Sequence, residues 1–353
     1  MNARVGLGLL AFGLAACGIA AGCTNSSTSS TPTPVPSSSA SFSPDTLWVQ
    51  DATSRTVRAY KGASTANGGQ FTSAELSTND NARPDIVYDP ASNTMWYPNQ
   101  TNNSLDIWTA ASTHATAAPA TITVVSPNTI NLEGAAVFDS AHNLLIVAHN
   151  TTNTVDVYSM ATSMTSASVP AGHVTLNMTD AGLVGTPRPQ EMFYDPIRDI
   201  LFVADQGTIC AKFPGFGTAA GALSGGTTIA MASSSEITAL SIGSSTGLAY
   251  NSALDDLWIT EYTSPPQITQ VKTASTWNTS VSHLVSLTNF TQPSGLTYDA
   301  VRDILFVYDS GVVLVFPNGS TASGAQGSWP NRRVMFDFTT TLSGFGLYVD
   351  TTH

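Results

Sequence analysis

At 353 residues the chain can form one large domain or two ordinary ones, and its 42% hydrophobic content can build a sizeable core. Only 10% of its residues are charged, the formal net charge is −12, and there are three lysines, Lys61, Lys212 and Lys272. That balance excludes binding to nucleic acid through neutralised phosphates. It also excludes membrane attachment through a basic patch, and a helix-rich enzyme whose surface rests on Glu–Lys pairs.

In chain order, the first element is "MNARVGLGLLAFGLAACGIAAGC": an early Arg, an apolar stretch too short for a comfortable transmembrane span, then small residues before Cys. This resembles a bacterial lipoprotein signal (residues 1–22), which implies cleavage before a Cys that then carries the lipid. Two boxes compete, Leu14-Ala15-Ala16-Cys17 and Ala20-Ala21-Gly22-Cys23; the first has the favoured Leu three residues before Cys. The expected product is a palmitate-bearing lipoprotein of the cell envelope, anchored outside the cytoplasm. Residues 24–44 are rich in Ser, Thr and Pro and carry no charge; they read as a tether with nothing to bury. Once the signal is removed, Cys210 is the one cysteine of the folded part, so an internal disulfide is excluded there.

Residues 45–353 read as repeats. "YDPIRDILFVADQG" at 194–207 returns as "YDAVRDILFVYDSG" at 298–311. Aligned on Asp195 and Asp299, the same slot holds Asp89, Asp139, Asn251 and Asp350, at intervals of 50, 56, 56, 48 and 51 residues. Each unit predicts an apolar strand ending in Asp or Asn, a short polar turn, a second apolar strand, a polar cluster and a third alternating strand. No segment has sustained helical periodicity. Short strands at a period near fifty residues predict a β-propeller. The ends agree: "DTLWVQD" (45–51) matches a second strand that lacks its first, while "GLYVD" (346–350) is a first strand with nothing after it. The expectation is all-β: six four-stranded blades, closed by pairing the C-terminal strand into the N-terminal blade, because an open ring would leave unpaired edges.

These units resemble the NHL type of six-bladed propeller, whose repeats carry a hydrophobic-Asp strand end followed by a hydrophobic-Val-Ala-Asp strand. The resemblance covers about 44–350, is specific over the strand pair and is loose afterwards. It places the lactonase- and gluconolactonase-like propellers as distant relatives.

Two registers stand out. The turn residues Asp89, Asp139, Asp195, Asn251 and Asp299 are explained by Asx-turn chemistry, in which the side chain accepts backbone N–H bonds. Ten residues later, at the end of each second strand, stand Asn99, His149, Asp205, Glu261 and Asp309, with Asp51 in the split blade. Antiparallel pairing returns these ends beside the starts of the first strands, where Arg83, Asp85, Glu133, Gln190 and Glu191 lie. Asp51, Asp85, Asn99, Glu133, His149, Glu191, Asp205, Glu261 and Asp309 are therefore the candidate channel face. By resemblance to the metal-binding propellers, Asn99, Asp205, Glu261 and Asp309 are candidate ligands for Ca2+, an ion suited to oxygen donors, with His149 or Glu191 as candidate base. The remaining histidines read as loop or linker residues. No nucleophile elbow, phosphate loop or zinc spacing occurs. Two functions are expected: a lipid-anchored module binding an extracytoplasmic ligand or protein, or a divalent-metal-dependent lactonase- or lyase-like hydrolase using the channel.

Overall fold

The computed structural model describes residues 45–66, 68–69, 72–80, 85–126, 135–149, 152–178, 189–205, 209–237, 247–261, 265–277, 284–329, 333–336 and 346–351. The signal, the tether, Cys17, Cys23, Arg83 and Glu133 lie outside the described residues.

Six small sheets form the six blades of a β-propeller. In each, the innermost strand ends at the repeat's Asp or Asn, turns, and pairs antiparallel with the second strand. The first blade combines the two ends of the chain: Leu347–Asp350 pairs antiparallel with Thr46–Asp51, setting Thr46 opposite Asp350 and Trp48 opposite Tyr348. The pairing is extended by the Gln50 N–H, which donates to the Gly346 carbonyl at 3.0 Å. The ring therefore closes by main-chain hydrogen bonds, and neither terminal strand is left as an open edge.

Two features exceed the expectation. Three blades carry a fifth strand, pairing parallel at the outer edge: Thr227–Ala232, Gly324–Ala325 and Gly68–Gly69. A six-residue helix, Phe216–Gly221, follows the third strand of the fourth blade. Segments that the sequence presents as Ser/Thr/Asn-rich loops (62–81, 110–131 and 215–235) thus hold outer strands. Small side chains exposed on a sheet edge leave little alternation to read.

The core lies between blades. The third residue of each second strand is bulky (Trp48, Trp96, Ile146, Phe202, Trp258, Phe306) and fully or almost fully buried. In four blades it packs against the next blade's inner-strand aromatic, as Trp48 does against Tyr88 at 5.2 Å. Trp96 stacks on Phe138 with centroids 4.9 Å apart, Trp258 on Tyr298 at 4.6 Å, and Phe202 meets Tyr250 at 4.9 Å. Such pairs add about 0.5–1.5 kcal/mol beyond the area they bury.

The inner turns act as Asx caps, as expected. Asp299 Oδ1 accepts from the Val301 and Arg302 amides at 2.9 and 3.0 Å, and Asp139 and Asn251 repeat the pattern. Each of these turns ends in an Asn or Asp at positive φ: Asn93, Asn143, Asp199, Asp255 and Asp303, types that tolerate the left-handed region. Those five, with Asp45 in the split blade, perform a second task. Each side chain accepts the amide of a Ser or Thr in the helical turn after the third strand: Ser64, Ser112, Thr162, Thr218, Ser275 and Ser320. Burial alone would raise the Asp199 carboxyl, but hydrogen bonds from Thr218, Gly217 and Tyr194 outweigh it and lower the pKa. The arginines of the two best-preserved repeats bridge blades. Arg198 holds Asp195 at 3.0 Å and the next blade's Ser252 carbonyl at 2.8 Å; Arg302 holds Asp299 at 2.9 Å and approaches Asp45 at 4.0 Å.

Candidate functional site

All six second strands end on one side of the ring, so the variable register does form a single face, and every member is buried. Its members are bonded within their own blades or, for Asn99, also to the connection from the blade before. Asp51 accepts from the Thr53 amide and the Ser54 hydroxyl at 2.9 and 2.6 Å, with Arg58 at 3.6 Å. Asn99 donates to Asp106 at 2.7 Å and to the Thr78 carbonyl at 2.8 Å. His149 Nε2 lies 2.9 Å from Asp156, whose other oxygen is 2.5 Å from His173 Nδ1. Asp205 accepts from the Ile209 amide at 3.0 Å. Glu261 accepts from Gln267 at 2.9 Å and from the Thr269 hydroxyl. Asp309 accepts from the Thr291 and Gln292 amides.

The register varies because each end is matched to its own neighbour: Arg58 for Asp51, Asp106 for Asn99, Asp156 for His149, Thr269 for Glu261. His173, a linker residue by sequence, stands in the outer strand Gly172–Asn177. The three-residue chain His149–Asp156–His173 spans three adjacent strands and was missed because its members are 7 and 17 residues apart in different strands.

The donors proposed for Ca2+ do not converge. Asn99, Asp205, Glu261 and Asp309 each point into local bonds, and among the described residues no group of three or more His, Cys, Asp or Glu side chains could hold a metal ion. Glu133 lies outside the described residues.

Two other predicted residues do come together. Four positions before each turn residue, the inner strands carry Gly346, Asp85, Ala135, Glu191, Gly247 and Gly295, from the first blade to the sixth. The glycines permit close approach of the strands: a β-carbon on Gly247 would lie 2.2 Å from the Ser294 carbonyl oxygen. Into the space left by these small residues, Asp85 and Glu191 extend from blades two and four and share a hydrogen bond. Two carboxyl groups can bond in this way only if a proton sits between them. Burial drives the Asp85 pKa upward from 3.8 to about 7, while the Ile86 amide and Glu191 pull partway back. Such a pair titrates as one unit.

The channel behind the pair is a cavity of about 530 Å³ walled by the inner strands of all six blades. Its lining is mainly aromatic and aliphatic, including Phe138, Phe193, Tyr250, Tyr298 and Tyr348, with Asp85 at one end and Asp89 and Ser140 at the other. Cys210, by contrast, is a fully buried thiol in blade four whose pKa burial pushes up; it acts as a small apolar side chain.

The fold and this channel define the chain as a six-bladed β-propeller. No protein-family model and no curated protein matches the sequence. Among solved structures, the chain is similar to one in a crystal structure of a nidogen/laminin complex, with a TM-score of 0.56 and 11% identity. The match covers 86% of this chain and 98% of that one. At that identity the likeness shows the fold alone.

Proposed function

We propose that this chain is a binding propeller, held outside the cytoplasm by a lipidated N-terminus. It takes a ligand or protein partner on the face where Asp85 and Glu191 close the channel. The observation that carries this reading is the carboxyl pair itself. Among the described residues, these two acids stand where the other inner strands carry Gly or Ala, and they meet over an apolar cavity. The low charge and the exposed Ser, Thr and Asn of the surrounding turns suit a recognition surface in which hydrogen bonds give specificity. The fold is compatible with both binding and catalysis.

The metal-dependent hydrolase is tested by thermal unfolding with EDTA and with added Ca2+. The binding reading expects no shift; a rise in Tm with Ca2+ that disappears in Glu261→Gln, which removes a candidate ligand, would favour the hydrolase. The anchor is tested by radiolabelled palmitate, which should enter the chain and be lost on substituting Cys17 or Cys23 by Ser.

A further inference from the structure

The two faces of the ring differ in a way that the repeat does not require. Among the described residues, six large hydrophobic side chains are strongly exposed. Three of them, Ile197 (74%), Leu254 (50%) and Val301 (70%), occupy equivalent inner turns of the consecutive fourth, fifth and sixth blades. Met160 (67%) stands on the same face in the third blade, at the end of its third strand. None is needed for the turn. The second blade has Ala91 and Ser92, and the third has Ala141 and His142, at the corresponding places and keeps the same Asx cap. The result is an arc of four aliphatic tips around one mouth of the channel.

The chain enters the propeller on this same face. Asp45 precedes the strand that pairs with Leu347–Asp350, and its carbonyl accepts the Gly62 amide at 2.6 Å. Its carboxylate accepts the Ser64 hydroxyl at 2.7 Å. Asp45 is thereby fixed at the end of the blade where the inner turns lie, opposite the face that bears Asp85 and Glu191. The acids of this end are engaged in caps: Asp45, Asp89, Asp139, Asp195 and Asp299 are all buried. Asp199, Asp255 and Asp303 are half-buried in the same caps, so the groups that face outward here are the apolar tips, small Ala, Ser and Thr side chains of the turns, and Lys61.

We propose that this face rests on the lipid bilayer, with Met160, Ile197, Leu254 and Val301 entering its interfacial layer. The inference rests on the anchor reading above, and the 21 residues that lead from that anchor (24–44) join the propeller at Asp45, on this same face. Apolar side chains at the interface add area-dependent attraction to that of the lipid anchor. Binding then takes place on the far side, at the end of the channel turned away from the membrane.

The test uses the full lipidated chain in isolated membranes. Single cysteines are introduced as Ile197→Cys, Val301→Cys and, on the opposite end, Val125→Cys, which is equally exposed at 72%. Each is labelled with a small fluorophore and read against lipids carrying a nitroxide near the headgroup; the labelled parent chain gives the background, and Cys210 is buried. Quenching at 197 and 301 at least twofold above that at 125 is expected. Equal quenching at all three positions, or more at 125, overturns the inference while leaving the anchor intact. Absence of the chain from the membrane fraction overturns both.

Discussion

Replacing Asp85 by Asn gives the sharpest energetic prediction. A carboxyl whose folded-state pKa lies near 7, against 3.8 for the unperturbed group, keeps in the folded state a proton that the unfolded chain releases. The folded state thus holds more protons between those values, so stability falls as pH rises from about 4 through 7. For an isolated group with those values, the loss between pH 5 and pH 8 is about 2.6 kcal/mol. Asp85 is only partly buried, and water at the channel mouth screens it, which brings the expected loss to about 1–2 kcal/mol. Asn is neutral at every pH. Urea unfolding of Asp85→Asn and parent should therefore agree closely at pH 5 and separate at pH 8, with the variant the more stable by about that amount. A parent–variant difference that is independent of pH, or one that grows in the opposite direction, would refute the shared proton.

Other predictions follow from the scaffold. Trp258→Ala removes the ring stacked on Tyr298 between blades five and six and should cost about 3–5 kcal/mol in urea unfolding. Asp303→Ala strips the acceptor from the Ser320 amide and hydroxyl and from the Tyr298 hydroxyl; a loss of about 2–3 kcal/mol is expected. Truncation before Gly346 deletes the strand that closes the first blade. The product should lose its cooperative unfolding transition by circular dichroism, and a native-like transition would contradict closure by that strand. His149→Gln leaves the buried Asp156 with one imidazole partner fewer and should lower Tm by several degrees.

The propeller was legible because its information is local. Asp before a turn, a hydrophobic run after it and the unmatched half-blades at the two ends are patterns within a few residues. The outer strands were less legible, since short, Thr- and Ser-rich edge segments such as Thr227–Ala232 alternate weakly and carry no core. The variable register at the strand ends was found, but its meaning was not. Asn99 and Asp106 are seven residues apart across a hairpin, and sequence spacing alone does not say that they bond. A second signal was present and unread. The Asn or Asp just before each second strand is followed 17–20 residues later by a Ser or Thr, as in Asp45 with Ser64 and Asp303 with Ser320. Likewise, the pairing of Asp85 with Glu191 required knowing that blades two and four, one blade apart, meet at a neck otherwise lined by glycine and alanine.

The claim that the Asp85–Glu191 face is the one that meets a partner can be tested directly by photocrosslinking in intact cells. A photoreactive residue would replace exposed Asn102, on the turn beside Asn99, and in a second chain would replace Leu254 on the opposite face. A discrete protein adduct from position 102 and none from position 254 is predicted. An adduct from position 254 and none from position 102 would contradict the account.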